Sequence, residues 1–491
     1  MRGLDQFVIF LYLFGVTLLG VYFTRQQKTT KDYFLGGKSL PWWAILMSII
    51  AQETSAVTVL SVPAIAFNPK TGNFTFLQVA FGYLIGRTLI AYLIVPRLYK
   101  GEYYSIYSYL TERFGAATKN VAVLTFLVTR VLAIGIRIFT GSILTKVLTG
   151  WSDTNCIIVI TSLSILYTVF GGFIAVVWTD VLQFVVYVLS AIAAMVVIYQ
   201  YIPNMGDIVQ TAAAAGKFQL FNFSWNMTTA YTFWAGLIGG CVLTMGTHGT
   251  DQSIAQRLLA AHSEKDAKKI IIASGITVVL QFAFYLFLGV MLYVFYTRLS
   301  PQTIPTFTKF EQVFPHFALN YLPAGLGGLA VAGVFAAAMS SNDFNPLSNS
   351  LINDIYKPYL RPNAPDKHYL LLGKIFTAFW GILTMLVALL SMQSEQSLLD
   401  LALKVPSYTY GPLLGLFMLG FFTKQSHQLG VIIGAILGVS IVLLIAPPWP
   451  ESWMVFKGFY PKLAWPWFTP IGCLTTMTTG YLISRLVPAK K

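Results

Sequence analysis

The sequence predicts an all-α, polytopic membrane protein. Two compositional facts and one pattern carry that expectation: 56% of the 491 residues are hydrophobic, only 10% are charged, and apolar runs long enough to cross about 30 Å of hydrocarbon recur along almost the whole chain. A soluble protein carries charge on about a quarter of its residues. The net charge of +14 would suggest a nucleic-acid partner in a soluble domain, but in a membrane protein basic residues mark loops, so the bilayer is the implied partner and nucleic acid is not. Cys156, Cys241 and Cys473 lie in or beside apolar runs without CxxC spacing, and read as core thiols outside any disulfide framework or metal site.

Taken in order, the predicted spans are residues 7–23, 43–67, 74–95, 121–148, 156–170, 173–199, 233–245, 270–295, 323–351, 370–390, 398–422, 429–444 and 471–487, thirteen in all. The first resembles a signal peptide in length, but Arg25, Lys28 and Lys31 follow it instead of a small-residue cleavage site, so it is expected to stay as an uncleaved helix. With that basic loop on the cytoplasmic side, 19 Lys and Arg, Arg257 among them, fall inside and eight outside. The positive-inside rule then puts the N-terminus outside and the C-terminus in the cytoplasm. The loops 202–232 and 452–467, rich in Pro, Trp and Asn, are expected to form outer caps. Nothing in the sequence sets an oligomeric state.

The remaining basic residues, Arg87, Arg130, Arg137, Lys374 and Lys404, fall within or at the edge of spans, as do Glu53, Asp180, Asp251 and Asp343. A charge at the bilayer centre costs at least about 2.5 kcal/mol, so each needs a partner or a wet cavity. For Arg87, Lys374 and Asp251 the expectation is pairing that locks helices together. Arg130 and Arg137, seven residues apart, share one helix face; they either neutralise Glu53 or bind an anionic solute.

Four segments interrupt their spans with polar residues. In 43–67 the run Gln52-Glu53-Thr54-Ser55 suggests an unwound stretch lining a binding site, because back-bonding to the helix accounts for hydroxyls and not for a carboxylate. Gly171-Gly172 make a tight turn before Thr179, Asp180 and Gln183. A second broken helix is expected at Thr247-His248-Gly249-Thr250-Asp251-Gln252. Residues 331–356 begin as a small-residue helix and then fill with Ser340, Ser341, Asn342, Asp343, Asn345 and Ser348, a run tolerated only facing protein, water or an ion. No His/Asp metal cluster or Ser-His pair occurs in the spans, which argues against an intramembrane enzyme.

Taken together, 31–37 (KDYFLGG), 51–63, 104–115 (YSIYSYLTERFG), 171–183, 247–257, 336–356 and 411–422 resemble the sodium/solute symporters, in that family's order and over nearly the whole chain. The resemblance implies a leucine-transporter-type core of ten helices in two inverted repeats, 43–199 and 233–422, with an extra helix at 7–23 and two more in 429–487. It implies sodium as coupling ion, held by the carbonyls of Ala51, Thr54 and Ala337 and the hydroxyls of Ser340 and Ser341. Some members have a second ion site using an aspartate at the position of Asp180 and hydroxyls after the serine pair; the matching set here is Asp180, Ser340 and Asp343, with Asp343 and Phe344 replacing hydroxyls. Pro346 and Leu347 are further departures. The solute cavity would be lined by Glu53, Ser55, Thr58, Gln78, Arg130 and Arg137. The implied activity is sodium-coupled uptake of a small polar solute, with proton coupling or a transporter-like sensor as the rival readings. Glu53 and two arginines suit a sugar or polyol, a zwitterion or a carboxylate, and a neutral sugar-like or small organic solute is favoured.

Overall fold

The computed structural model describes residues 2–101, 103–299, 307, 309–393, 398–446 and 463–487. The part of the predicted cap at 452–462 lies outside the described residues, as does the side chain of Lys404.

Every one of the thirteen predicted runs coincides with a helix. Helix α1 is Gly3–Tyr22. The second span is divided into α2 (Trp42–Glu53) and α3 (Ala56–Phe67). Then come α4 (Leu77–Leu93), α5 (Ala116–Thr149) and α6 (Asp153–Tyr201). After the cap, α7 (Gly240–Gly249) and α8 (Gln252–Leu259) form a second divided helix, followed by α9 (Glu264–Leu299). A third divided helix is α10 (Leu326–Ser340) and α11 (Asn345–Ser350). The chain closes with α12 (Asp366–Leu390), α13 (Leu398–Phe422), α14 (Gln428–Ile445) and α15 (Phe468–Leu486). Among the described residues seven helices are by themselves long and apolar enough to cross a membrane; the three divided helices account for half of the shortfall.

Helix α6 has 49 residues, about 74 Å if straight, more than twice the hydrocarbon thickness. It is two spans joined at Gly172, whose φ of 59° and ψ of −155° are open to glycine and strained for other residues. A Cβ there would also lie 2.8 Å from the Tyr33 ring. The predicted glycine-pair turn is thus a reversal between spans.

The breaks have local causes. Thr54 and Ser55 take extended backbone (ψ 93° and 170°), while the Thr54 hydroxyl donates to the Ile50 carbonyl at 2.8 Å, closing the last turn of α2. At the second break Asp251 caps α8, accepting from the Ser253 amide at 2.7 Å, the usual role of an aspartate at a helix start. At the third, α11 begins Asn345-Pro346. A proline in a first turn forfeits no helical hydrogen bond, so Pro346, anomalous if 323–351 is read as one helix, sits at a helix start.

The buried apolar side chains separate into two large clusters. One takes in Val59 of α3 and Met339 of α10; the other takes in Ile49 of α2 and Phe344 just before α11. The first and third breaks fall at the boundary between them, where backbone freed from helical bonding meets polar side chains instead of hydrocarbon. Helix α13 packs closely on α15, with Gly411 against the Thr469 carbonyl, as its small residues predict.

Candidate functional site

Three polar groupings lie along the plane of the breaks. The first is made of uncharged oxygens. Ser340 Oγ is 3.2 Å from the Thr54 carbonyl oxygen and 3.2 Å from that of Ala337, so three oxygens from two broken helices crowd round a single hydroxyl hydrogen. Gln281 Nε2 holds Thr54 Oγ1 at 2.8 Å from behind. Ser340 and Thr54 are at most 3% exposed and Ala337 is fully buried. Ala51 and Ser341 flank the group with their oxygens engaged locally: the Ala51 carbonyl accepts from the Thr54 amide (3.1 Å) and Ser341 Oγ donates to the Ala338 carbonyl (3.3 Å). Neutral oxygen donors suit a hard monovalent cation that must be released each cycle. Among the described residues no group of three His, Cys, Asp or Glu comes together.

The second grouping surrounds a cavity of about 130 Å³. Glu53, Ser55, Thr58, Arg130 and Arg137 all line it, together with His248 and Tyr410, and Phe76 and Trp465 stand at its walls. Glu53 Oε2 lies 2.5 Å from Arg87 Nη2. Arg87, fully buried on α4, also donates to Ser274 Oγ at 2.9 Å and approaches His248 Nε2 at 3.0 Å. A guanidinium has only donors, so that contact makes Nε2 the acceptor of a neutral imidazole. Arg130 Nη1 is 3.6 Å from Asp251 Oδ2, which also accepts from the Tyr410 hydroxyl. Arg137 donates to the Gln52 carbonyl at 3.5 Å and has no ion pair among the described residues. Counted by pairs, Glu53 cancels Arg87 and Asp251 cancels Arg130. Arg137 is left over, so the cavity carries one surplus positive charge.

The sequence placed Glu53 and Gln78 differently. Glu53 is matched by Arg87 and by neither cavity arginine; the partners are 34 residues apart on different helices, and no local pattern announces such a pair. Gln78 lies outside the cavity: its amide nitrogen donates to the Thr75 and Tyr231 carbonyls (2.9 and 3.2 Å) and its oxygen accepts from the Asn222 amide (3.0 Å). It pins the 202–232 cap to the start of α4. Lys374 makes no ion pair among the described residues.

The third grouping is sealed. Arg257 Nη1 is 2.6 Å from Asp343 Oδ2 and Nη2 is 3.0 Å from Asp180 Oδ2, while Nε donates to Ser48 Oγ at 2.7 Å. Ser48 in turn donates to Asp180 at 2.5 Å. All four are at most 1% exposed. Arg257, counted from sequence among the inner loop cations, is therefore a core residue. Asp180 and Asp343, expected to share an ion with Ser340, share this guanidinium, and Ser340 faces Thr54. Two carboxylates share one arginine, and among the described residues Asp343 Oδ1 has no hydrogen-bond partner. Phe344 is fully buried in the apolar cluster beside it.

Divided helices with neutral oxygens at one crossing, a cavity beside it and a sealed far side define a membrane transporter of the broken-helix class. Residues 33–438 match the model of the sodium:solute symporter family, and the chain belongs to that family. It is 28% identical to the sodium/sialic acid symporter of Proteus mirabilis, over 99% of this chain and 95% of that one. It is 29% identical to the human sodium-coupled monocarboxylate transporter 1, over 92% and 76% respectively. A solved structure of a Na+-coupled sialic acid symporter in a substrate-bound, outward-open state superposes with a TM-score of 0.88 at 27% identity, covering 100% of this chain and 99% of that one. The fold is accordingly of the leucine-transporter type, and the protein is a sodium-coupled solute symporter working by alternating access, not an enzyme.

Proposed function

We propose that the solute is a small organic anion held by its carboxylate on Arg137, taken into the cell with sodium. The observation that carries this is the surplus charge of the cavity. Arg137 is the cavity cation that no protein carboxylate answers, and a guanidinium fork matches a carboxylate with two parallel hydrogen bonds. The relatives' names, one an acid and one a monocarboxylate, agree with that charge and support the carboxylate among the solutes the sequence left open.

In this reading sodium binds at Ala51, Thr54, Ala337, Ser340 and Ser341, replacing the Ser340 to Thr54 hydrogen bond and tying α2 to α10. That fixes the backbone beside Glu53 and Ser55, which raises the affinity for the anion, and the anion must raise that for sodium by the same factor. The cavity faces outside, with N-terminus outside and C-terminus cytoplasmic. The repeats 43–199 and 233–422 then rock against each other, and the Arg257 cluster parts to open the inner side.

Purified protein in sealed proteoliposomes under an inward sodium gradient tests the reading. Small carboxylates should accumulate and neutral sugars should not, and Arg137→Gln should remove carboxylate uptake while sodium still stabilises the protein. Accumulation of neutral sugars that survives Arg137→Gln would reject the anion assignment.

A further inference from the structure

Glu53 is the acidic residue among those lining the cavity, and only half of its carboxylate is spent. Oε2 takes the Arg87 guanidinium at 2.5 Å, and that guanidinium is anchored from behind by Ser274 at 2.9 Å and Thr244 at 3.4 Å. Oε1 has no hydrogen-bond partner among the described residues, and the side chain keeps 14% exposure. The residue before it, Gln52, carries the carbonyl that Arg137 touches. The cavity therefore holds its cationic fork against the residue next to the one that carries the bare acceptor oxygen.

An ionised carboxylate accepts and never donates. With its charge cancelled by Arg87, Glu53 offers the solute a hydrogen-bond acceptor and no net attraction. We propose that Glu53 determines specificity, selecting carboxylates that bear a hydroxyl close to the carboxylate over those that do not. The inference rests on the anion reading of Arg137. An unsubstituted acid would strip Oε1 of water and return nothing, and sites built to pair a hydroxyl reject analogues that lack it. A zwitterion could also donate to Oε1, but its zero net charge would leave the Arg137 surplus uncancelled.

Butyrate, 2-hydroxybutyrate and 2-aminobutyrate differ only at C2, and their affinities in sodium, measured by competition for sodium-driven uptake or by thermal shift of the purified protein, form the test. The wild-type protein should bind the hydroxy acid at least about tenfold more tightly than butyrate, with the amino acid weaker than the hydroxy acid. In Glu53→Gln the amide oxygen should turn to Arg87 and leave an NH2 donor facing the cavity, from which a hydroxyl can still accept and an ammonium group cannot, so 2-aminobutyrate should lose the most. Glu53→Asp, which keeps the charge beside Arg87 and withdraws the acceptor, should lower the ratio of hydroxy acid to butyrate affinity without the folding risk of an unpaired buried arginine. A ratio near one in the wild type, an amino acid bound as tightly as the hydroxy acid, or a ratio unchanged in Glu53→Asp overturns the proposal. If the protein binds no carboxylate in sodium, the Arg137 reading fails and the proposal goes with it, a result distinguishable from carboxylates bound at a ratio near one.

Discussion

Arg137 and Arg257 both lie against the first broken helix, at Gln52 and at Ser48, and the protein treats them in opposite ways. Arg257 meets two carboxylates, a hydroxyl and a carbonyl, with every partner within 3.0 Å; Arg137 meets one carbonyl at 3.5 Å. One is satisfied entirely by the fold, and the other makes a single long hydrogen bond. The pairing differs as well: the cavity holds one cation more than its carboxylates answer and the sealed cluster one carboxyl more than its cations answer, with the uncharged oxygens of Thr54, Ala337 and Ser340 as a third region. A buried ion pair network contributes little net stability, yet removing one member leaves an uncompensated charge at large cost. Removing a single member is therefore costly in the cluster, whereas the cavity cation Arg137 has no carboxylate partner among the described residues to leave behind.

Breaking the satisfied side should have the largest effect. Arg257→Met leaves Asp180 and Asp343 facing each other and should cost about 3 to 5 kcal/mol, seen as lost folded yield and a lowered melting temperature in detergent. Adding Asp343→Ser to it should recover part of that loss. Next comes the boundary: a Ser340→Ala, Ser341→Ala double variant should abolish sodium-driven uptake and the stabilisation by sodium while the protein stays folded, and retained sodium dependence would remove these hydroxyls from the site. On the open side, Arg137→Gln should weaken carboxylate binding by at least about tenfold, the loss of a charge-assisted bidentate contact, with little change in melting temperature in the absence of solute. Should Arg137→Gln destabilise the protein as Arg257→Met does, the contrast between the two arginines collapses. The smallest effect is expected at Gln78→Ala, which removes hydrogen bonds between the cap and α4 worth about 1 kcal/mol each. It should lower stability and leave the solute affinity unchanged.

How much of this was legible in the sequence depends on whether a feature is local. The spans were, because hydrophobic length is local; so were the breaks at 54–55 and 250–251, where hydroxyls, glycine and a carboxylate interrupt an apolar run, and so was the shared face of Arg130 and Arg137. Pro346 was misread because the third break was read as one polar-faced helix, although a proline after a polar run is itself a helix-start signal. That Arg87 and Asp251 would be paired was legible; their partners were not. Glu53 with Arg87 and Asp343 with Arg257 are separated by 34 and 86 residues, and only packing brings them together. That also decided Asp343, whose partner is a buried base. Gln78 was placed in the cavity by family resemblance, whereas its hydrogen bonds run to the 202–232 cap.

The measurement that bears most directly on the account is the linkage between the two cargoes. The dissociation constant of a small carboxylate should be determined with sodium and with choline in its place, and that of sodium with and without saturating carboxylate. The account predicts that each tightens the other by one common factor of at least about ten, and that the Ser340→Ala, Ser341→Ala variant brings the factor to one. A carboxylate affinity indifferent to sodium in the wild-type protein would contradict it.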